Sequence, residues 1–277
     1  MTKNLRFALL LLLPLPAISN AQIKLSTYNI RAESPKDTLL DSWAVRKINL
    51  AQLVTKNNVD ILGVQEAVSS QSSDLKKLLP EYTFIELAEK DRAPRSRIFF
   101  KTRKFRLIDK GNFWLAPNTE DAKRAWDAKL PRNCSWARFE EISTGNKFFY
   151  FNTHLDHKGE EAKKNSIILI LKKIKELAGK QPFILSGDFN FGQDDPNYSN
   201  LTANPNLRDC YTSAKLNNSL DKGTFNSFDL QQKSLKRIDH IFVSPALNIL
   251  TYQIITESFG GHYPSDHFPV AVEFTLQ

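Results

Sequence analysis

The segment Phe183-Ile184-Leu185-Ser186-Gly187-Asp188-Phe189-Asn190 sets an apolar run directly before a glycine, an aspartate and an asparagine. A short continuous apolar run is typical of a strand that is buried on both faces. A carboxylate beside such a strand is unfavourable unless a cation, a hydrogen-bond donor or a metal compensates its charge. Asp188 and Asn190 are therefore candidate functional residues at the end of a buried strand.

The same arrangement recurs along the chain, where other strand-like runs end or begin at a polar residue. Each such residue alone has an ordinary structural explanation, such as a turn, a helix start or a core histidine. Their recurrence instead predicts one shared site. The predicted strands are residues 23–30, 59–64, 98–100, 148–155, 183–185, 238–243, 247–255 and 268–274, and the polar residues beside them are Asn29, Glu66, His154, Asp188, Asn190, Asp239, Asp266 and His267.

Helical patterns lie between some of these strands. Residues 45–54 and 160–178 carry apolar side chains at three- and four-residue spacing, which predicts amphipathic helices. Many strands with helices between them favour an α/β sandwich. The polar segment 118–133 is predicted to be a long loop near a functional face.

The N-terminus is typical of a secretory signal peptide. Lys3 and Arg6 precede an apolar run from Phe7 to Ile18, and Ser19-Asn20-Ala21 is a small-residue cleavage pattern. The run is shorter than the roughly 20 apolar residues that span a bilayer. We expect residues 1–21 to be removed, leaving one domain over 22–277, exported to the periplasm or secreted, with no integral membrane segment.

The composition is that of a globular protein, with 41% hydrophobic and 25% charged residues, which excludes disordered and collagen-like classes. The formal net charge is +8, and eight basic residues face one acid between Lys90 and Arg106. Such a cluster either attracts an anionic substrate or is a solvated hairpin face. Cys134 and Cys210, the two cysteines, are expected to be buried free thiols.

The polar residues form a set of hard oxygen ligands with two histidines. This set suits Mg²⁺ or Mn²⁺ better than a closed zinc site. A carboxylate to activate water, a metal to neutralise phosphate oxygens and imidazoles to stabilise developing charge are the parts of metal-assisted phosphoester hydrolysis. Motifs of nucleotide-binding loops, serine hydrolases and zinc proteases are absent from the sequence.

Six motifs, in order along the chain, resemble those of the endonuclease/exonuclease/phosphatase superfamily. They are residues 27–29, 65–66, 152–155, 186–190, 237–242 and 264–270. Further motifs at 41–46, 132–136, 156–157 and 223–226 are similar to an uncharacterised secreted or periplasmic bacterial subgroup. The resemblance implies a four-layer α/β/β/α sandwich, with two central mixed sheets packed face to face, helices outside and the site at one end of the sheets.

The resemblance also implies roles for single residues. Glu66 would hold the metal with Asn29, and Asp266 would supply another contact. Asp188 would orient or deprotonate the attacking water, and Asn190 would hold the water or the phosphate. His267, oriented by Asp239, would bind the phosphate or transfer a proton, and His154 would stabilise the transition state or the leaving oxygen.

These expectations describe a monomeric, exported, Mg²⁺- or Mn²⁺-dependent phosphoesterase that acts on a phosphorylated substrate. A nuclease is favoured by the basic cluster and by Trp114, Trp126 and Trp136, which either stack on bases or sugars or, as tryptophans in loops more commonly do, pack within the protein. A phosphatase or phosphodiesterase for lipid headgroup, inositol or sugar phosphates is the alternative, and a non-catalytic binding module is the second. Substrate contacts are expected from Arg95, Arg97, Arg132 and Trp136, and the arginines before residue 98 favour a more anionic substrate.

Overall fold

The structure, a computed structural model, describes residues 22–86, 95–231 and 235–276. The strands are β1 (Ile23–Asn29), β2 (Ile61–Gln65), β3 (Tyr82–Phe84), β4 (Arg97–Lys101), β5 (Phe105–Trp114), β6 (Asn133–Glu141), β7 (Lys147–His154), β8 (Phe183–Asp188), β9 (Arg208–Asp209), β10 (Leu216–Asn217), β11 (Asp239–Val243), β12 (Leu247–Ile254) and β13 (Val270–Leu276). The helices are α1 (Trp43–Lys56), α2 (Ser69–Leu78), α3 (Glu160–Ala178), α4 (Pro196–Thr202) and α5 (Cys210–Ser213).

These strands form two mixed sheets. The first has the order β10-β12-β13-β1-β2-β4-β3 and the second has the order β5-β6-β7-β8-β11-β9. One apolar cluster joins side chains of both sheets, among them Leu25 and Phe274 of the first and Tyr150 and Ile184 of the second. The sheets therefore pack face to face. This packing buries the inner face of each sheet, as expected for strands whose residues are buried on both faces.

The helices cover the outer faces of the two sheets. Trp43 and Leu50 of α1 and Leu75 of α2 pack in one cluster with residues of the first sheet. Ile167, Ile170 and Ile174 of α3 pack with the second. The predicted four-layer sandwich is therefore confirmed.

Helix α3 forms where the sequence predicts it. Glu160 and Glu161 lie in its first turn, where carboxylates interact favourably with the helix dipole. Gly179 ends the helix with φ of 58°, a left-handed conformation that favours glycine. Its N-terminus is also joined to the preceding loop, because Asp127 Oδ1 accepts a hydrogen bond from the Ala162 N–H at 2.7 Å.

Sheet register brings the predicted site residues to one end of both sheets. The strands β1 and β2 are parallel, with Asn29 opposite Gln65, so Asn29 and the following Glu66 emerge together. The strands β7 and β8 are also parallel, with His154 opposite Asp188. Antiparallel β11 places Asp239 opposite Asp188 from the other side.

The N-terminal segment, the two cysteines and the helices can each be compared with the sequence-based predictions. The predicted signal peptide, together with Lys90 and Arg92 of the basic cluster, lies outside the described residues. Cys134 and Cys210 are both buried free thiols, as expected. Among the helices that the structure describes, none has the length and apolar character needed to cross a membrane.

Candidate active site

Asn29 links the two sheets at the site. Its Nδ2 donates a hydrogen bond to Asp188 Oδ2 at 2.9 Å and lies 3.4 Å from Glu66 Oε1. Asn29 and Glu66 come from the first sheet and Asp188 from the second. The residues that the sequence assigned to metal and to water therefore meet at the junction of the sheets.

Asp188 is the centre of this arrangement. Its Oδ2 lies 3.3 Å from His154 Nε2 and 3.8 Å from His267 Nε2, and its Oδ1 accepts a hydrogen bond from the Asn190 N–H at 2.9 Å. Burial, and then the charge of Asp239, raise the pKa of Asp188 to about 7. A carboxylate with a pKa near neutrality has the proton affinity that a general base requires.

His267 lies between two carboxylates. Its Nδ1 is 2.9 Å from Asp239 Oδ2, and its other ring nitrogen faces Asp188. Burial lowers the pKa of His267, but the charges of Asp239 and Asp188 outweigh burial and raise it to about 10. His267 is therefore held as a cation, oriented by Asp239, next to Asp188.

His154 has the opposite electrostatic environment. Burial, and then the charge of Arg132, lower its pKa well below the usual histidine value. Arg132 Nη1 lies 3.0 Å from His154 Nδ1, and Asn190 Nδ2 lies 2.9 Å from His154 Nε2. The site thus contains one neutral and one charged imidazole on either side of a single carboxylate.

Unusual backbone conformations orient the side chains of the site. Glu66 has φ of 64° and Asn190 has φ of 55°, both in the left-handed region that non-glycine residues rarely adopt. Gly187 has φ of 151°, and a Cβ there would lie 2.0 Å from Thr153 O. Strain of this kind persists where the surrounding structure requires it, and it concentrates at functional sites.

The residues present fit a divalent cation. Burial and the nearby Glu66 carboxylate raise the pKa of Asp266, which shows that negative charge is concentrated here. Arg31 Nη1 neutralises part of this charge, at 3.0 Å from Asp266 Oδ2. Ligand atoms of Asp188 and Asp239 also lie within 4.8 Å of each other, and the protonated His267 ring beside them serves as a hydrogen-bond donor and not as a metal ligand. Oxygen-rich sets of this kind suit Mg²⁺ and Mn²⁺.

A cavity of about 270 Å³ opens at these residues. Six of the eight candidate metal and catalytic residues line it, and Asp239 and Asp266 do not. Besides Asn29, Glu66, His154, Asp188, Asn190 and His267, the lining residues are Arg95, Ser96, Trp114, Leu130, Pro131, Arg132, Asn133 and His157.

Two of the four expected substrate contacts line this cavity, namely Arg95 and Arg132. Arg97 and Trp136 do not. Arg97 is buried, with its guanidinium over the Phe84 ring and a hydrogen bond to Ser69. Trp136 packs in the cluster under α3. Both lie on strands whose alternation turns their side chains into a layer of the sandwich, which a motif does not reveal.

Two apolar residues of the wall, Leu130 and Pro131, had no role predicted from the sequence, whereas Trp114 was among the tryptophans expected to stack on a substrate. Leu130 and Pro131 come from the predicted long loop, and Trp114 ends β5. His157 belongs to the Asp156-His157 pair of the subgroup motifs, which was the available signal for it. Arg31 had no signal, because its partner Asp266 is 235 positions away.

Comparisons with known proteins agree with this geometry. The sequence profile of the Endonuclease/Exonuclease/phosphatase family matches residues 26–267. The crystal structure of a family protein from Bacteroides thetaiotaomicron is 38% identical, with a TM-score of 0.89, over 93% of this chain and 98% of that one.

Two further solved structures extend the comparison. A mannosyl-6-phosphatase of Bacteroides thetaiotaomicron is also 38% identical, with a TM-score of 0.87, over 92% of this chain and 100% of that chain. D. rerio TDP2 complexed with a single-strand DNA product is 20% identical, with a TM-score of 0.74 over 92% of this chain and 99% of that chain, which shows the fold alone. The chain therefore belongs to the endonuclease/exonuclease/phosphatase family, whose members hydrolyse phosphoester bonds.

Proposed function

We propose that this protein is a Mg²⁺- or Mn²⁺-dependent phosphatase that releases phosphate from a small polar alcohol, with sugar monophosphates as the foremost substrates. The observation that carries the proposal is the environment of Asp188, a buried carboxylate with Asn29, His154 and His267 around one oxygen. These groups line a cavity of about 270 Å³, which shares Leu130 and Pro131 with a wider neighbouring cavity.

Glu66 would hold the divalent cation, together with Asn29 and Asp266. When bound, the cation neutralises phosphate oxygens and lowers the pKa of a bound water. Ala32 N–H donates to Glu66 Oε2 at 2.9 Å, so one oxygen of this carboxylate is oriented by the backbone. Arg31 would share Asp266 with the cation.

Asp188 would accept the proton of the attacking water. Its Oδ1 accepts a hydrogen bond from the Asn190 N–H and its Oδ2 accepts one from Asn29 Nδ2, so both oxygens of the base are held in place. His267, held by Asp239, would bind a phosphate oxygen as a cation. His154 would donate a hydrogen bond to the phosphate or to the leaving oxygen, where negative charge develops.

The size and lining of the cavity support a small leaving group. Its volume of about 270 Å³ lies below the common range of roughly 300 to 1,000 Å³ for ligand pockets. Trp114, Leu130 and Pro131 offer an apolar surface, while Arg95 and His157 offer polar contacts to hydroxyl groups. The name of the mannosyl-6-phosphatase, similar over nearly the whole chain, supports a hexose phosphate.

A nuclease receives less support from the described residues. Lys101 and Lys104 both contact Asp60, at 3.3 and 2.6 Å. Arg106 contacts Glu140 at 2.7 Å. These members of the basic cluster are paired with acids, and Trp136 packs in the core, so fewer of the basic and aromatic side chains are available to a nucleic acid than the sequence suggests, although Trp114 and Arg95 line the cavity.

We also propose that the chain is exported as a monomer after removal of residues 1–21. The support is the charged, apolar and small-residue pattern of that segment. N-terminal sequencing of the protein from the periplasm or medium should begin at Gln22, and light scattering should give the mass of one chain. A retained N-terminus or a dimer mass would contradict these two proposals.

The substrate is tested with purified protein and Mg²⁺ or Mn²⁺. We expect kcat/KM for a hexose 6-phosphate to exceed that for a bis-aryl phosphate and for single-stranded DNA by at least about 100-fold, because the cavity encloses one small leaving group. Phosphate release serves as the readout for the monoester. Faster cleavage of the diester or of DNA would overturn the substrate assignment and favour the nuclease.

A further inference from the structure

The guanidinium of Arg132 lies against an imidazole at the reaction centre. Its Nη1 is 3.0 Å from His154 Nδ1, and its Nη2 is 3.4 Å from His157 Nδ1. The Arg132 side chain is 13% exposed. Its donors are therefore directed largely at neighbouring side chains, which is unexpected for a residue whose only task is to bind substrate.

The chemistry of arginine restricts what His154 can do. A guanidinium carries donors and no acceptor, so His154 Nδ1 must accept the hydrogen bond. In a neutral imidazole, the other nitrogen then carries the proton. An acceptor is in place for that proton, because Asp188 Oδ2 lies 3.3 Å from His154 Nε2.

Asn190 also contacts the His154 ring, and its amide group favours the other tautomer. Its Nδ2 lies 2.9 Å from His154 Nε2 and 3.0 Å from Leu155 O. If His154 Nε2 accepted from this amide, the ring proton would move to Nδ1 and face the donors of Arg132. A carboxamide can turn and present its oxygen, at the cost of the hydrogen bond to Leu155 O, whereas a guanidinium has no acceptor to present in any orientation, so Arg132 is the stricter of the two constraints.

Asp156 orients Arg132 through its charge and through the backbone of the preceding loop. The Asp156 Oδ2 atom lies 3.8 Å from Arg132 Nε and accepts hydrogen bonds from the N–H groups of Lys129 and Leu130 at 3.0 and 3.1 Å. The loop that leads into β6 is thus anchored directly before Arg132. The backbone therefore places the Arg132 side chain beside His154, and the Asp156 charge favours the guanidinium there.

We infer that Arg132 is a positioning residue that holds His154 as the neutral tautomer with its proton on Nε2. His154 can then only donate at its reactive nitrogen, toward the phosphate or the leaving oxygen. This last role rests on the proposed function, whereas the tautomer does not. Arg132 thus acts on the reaction through His154 and not by direct contact with the substrate.

The tautomer is tested by ¹⁵N NMR of the histidine rings in the full-length mature protein without substrate, with His154→Ala used for assignment. We expect a protonated Nε2 and an unprotonated Nδ1 in the wild type and in Arg132→Lys, since lysine also has only donors. Arg132→Gln should add the Nδ1-protonated form, because its amide can present an oxygen. Arg138→Gln, on β6 and hydrogen-bonded to Gln181, is the matched control and should leave the ring unchanged.

A wild-type His154 with its proton on Nδ1, or an Arg132→Gln variant with an unchanged tautomer, would overturn the inference. Both results are independent of activity. If the tautomer behaves as expected and the protein hydrolyses no phosphate ester, the proposed function fails while Arg132 keeps its positioning role.

Kinetics then separate positioning from substrate binding. Arg132→Gln should lower kcat by about 10- to 100-fold with little change in KM, as expected for a residue that orients a catalytic group. In the His154→Ala background, the same change should have almost no further effect, because the ring that Arg132 orients is gone. A rise in KM, or equal losses in both backgrounds, would show instead that Arg132 binds substrate directly.

Discussion

Asp239 and His267 show how burial and charge compete at single side chains. Burial alone would make the His267 ring neutral, since it disfavours the charged form. The Asp239 carboxylate, 2.9 Å away, and Asp188 reverse this effect. The same Asp239 charge raises the pKa of Asp188. One buried acid therefore raises the pKa of both His267, the cation, and Asp188, the base.

Replacement of Asp239 tests this competition. In metal-free protein, Asp239→Asn should lower the pKa of His267 from about 10, because the largest effect that raises it is removed and only Asp188 and Asp266 are left to oppose burial. The ring should then lose its proton at a lower pH than in the wild type. NMR titration of the His267 ring measures the change. An unchanged His267 titration would show that Asp239 does not set its charge.

The candidate site was predicted residue by residue with uneven success. Residues that close a strand, such as Asn29, His154 and Asp188, are brought together as expected, because parallel neighbours end at the same edge of a sheet. Arg97 and Trp136 are turned into the layers of the sandwich. Which face a strand residue occupies depends on the packing of the second sheet, and local sequence does not contain that information.

At the scale of elements, α1 holds two loops of the site in place. Arg46 is buried, and its guanidinium donates to the carbonyl oxygens of Asp41, Ile30, Pro264 and Arg31. These carbonyls belong to the segments after β1 and before Asp266. Helix α1 therefore stabilises the segment that carries Asp266.

Loss of this arginine should destabilise the protein. Arg46→Ala leaves buried carbonyl groups without donors, and we expect the free energy of unfolding in urea to fall by roughly 3 to 5 kcal/mol. Arg46→Lys should lose less, because it keeps one set of donors. Arg103→Ala, at a 68% exposed side chain, is the control and should change little. Equal stability of Arg46→Ala and Arg103→Ala would refute the role of Arg46.

Strands and helices were predictable from the sequence where their apolar pattern is simple. The apolar runs gave β1, β2, β7 and β8 with ends within a few residues, and α3 matches residues 160–178. The outer strand β5 was missed because charged residues interrupt its alternation along an edge of the sheet. Helix α2 was missed because its sequence is mostly polar, although Gln71 accepts a hydrogen bond from the Val68 N–H at its start.

At the scale of the whole molecule, the site depends on both sheets. Glu66 comes from the first sheet and Asp188 from the second, while Asn29 Nδ2 contacts both carboxylates. The face-to-face packing therefore concentrates negative charge at one end of the sandwich. A bound cation would relieve this repulsion and stabilise the folded protein as a whole.

Thermal unfolding measures this coupling. Mg²⁺ or Mn²⁺ at about 100 times its Kd should stabilise the protein by about 2.7 kcal/mol and raise Tm by about 5 °C or more. Glu66→Gln should abolish most of the rise, because it removes the principal ligand charge. Glu81→Gln, at a 51% exposed side chain, should keep the wild-type rise. A full rise in Glu66→Gln would place the cation elsewhere.

The central claim is that Asp188 serves a metal-dependent phosphatase site, and the most direct test is phosphate release from a hexose 6-phosphate with Mg²⁺ or Mn²⁺. We predict that Asp188→Asn lowers kcat by about 100- to 10,000-fold, since the base is lost. The exposed Asp194→Asn should retain the wild-type rate. Wild-type turnover by Asp188→Asn, or turnover that persists after removal of divalent metal, would contradict the account.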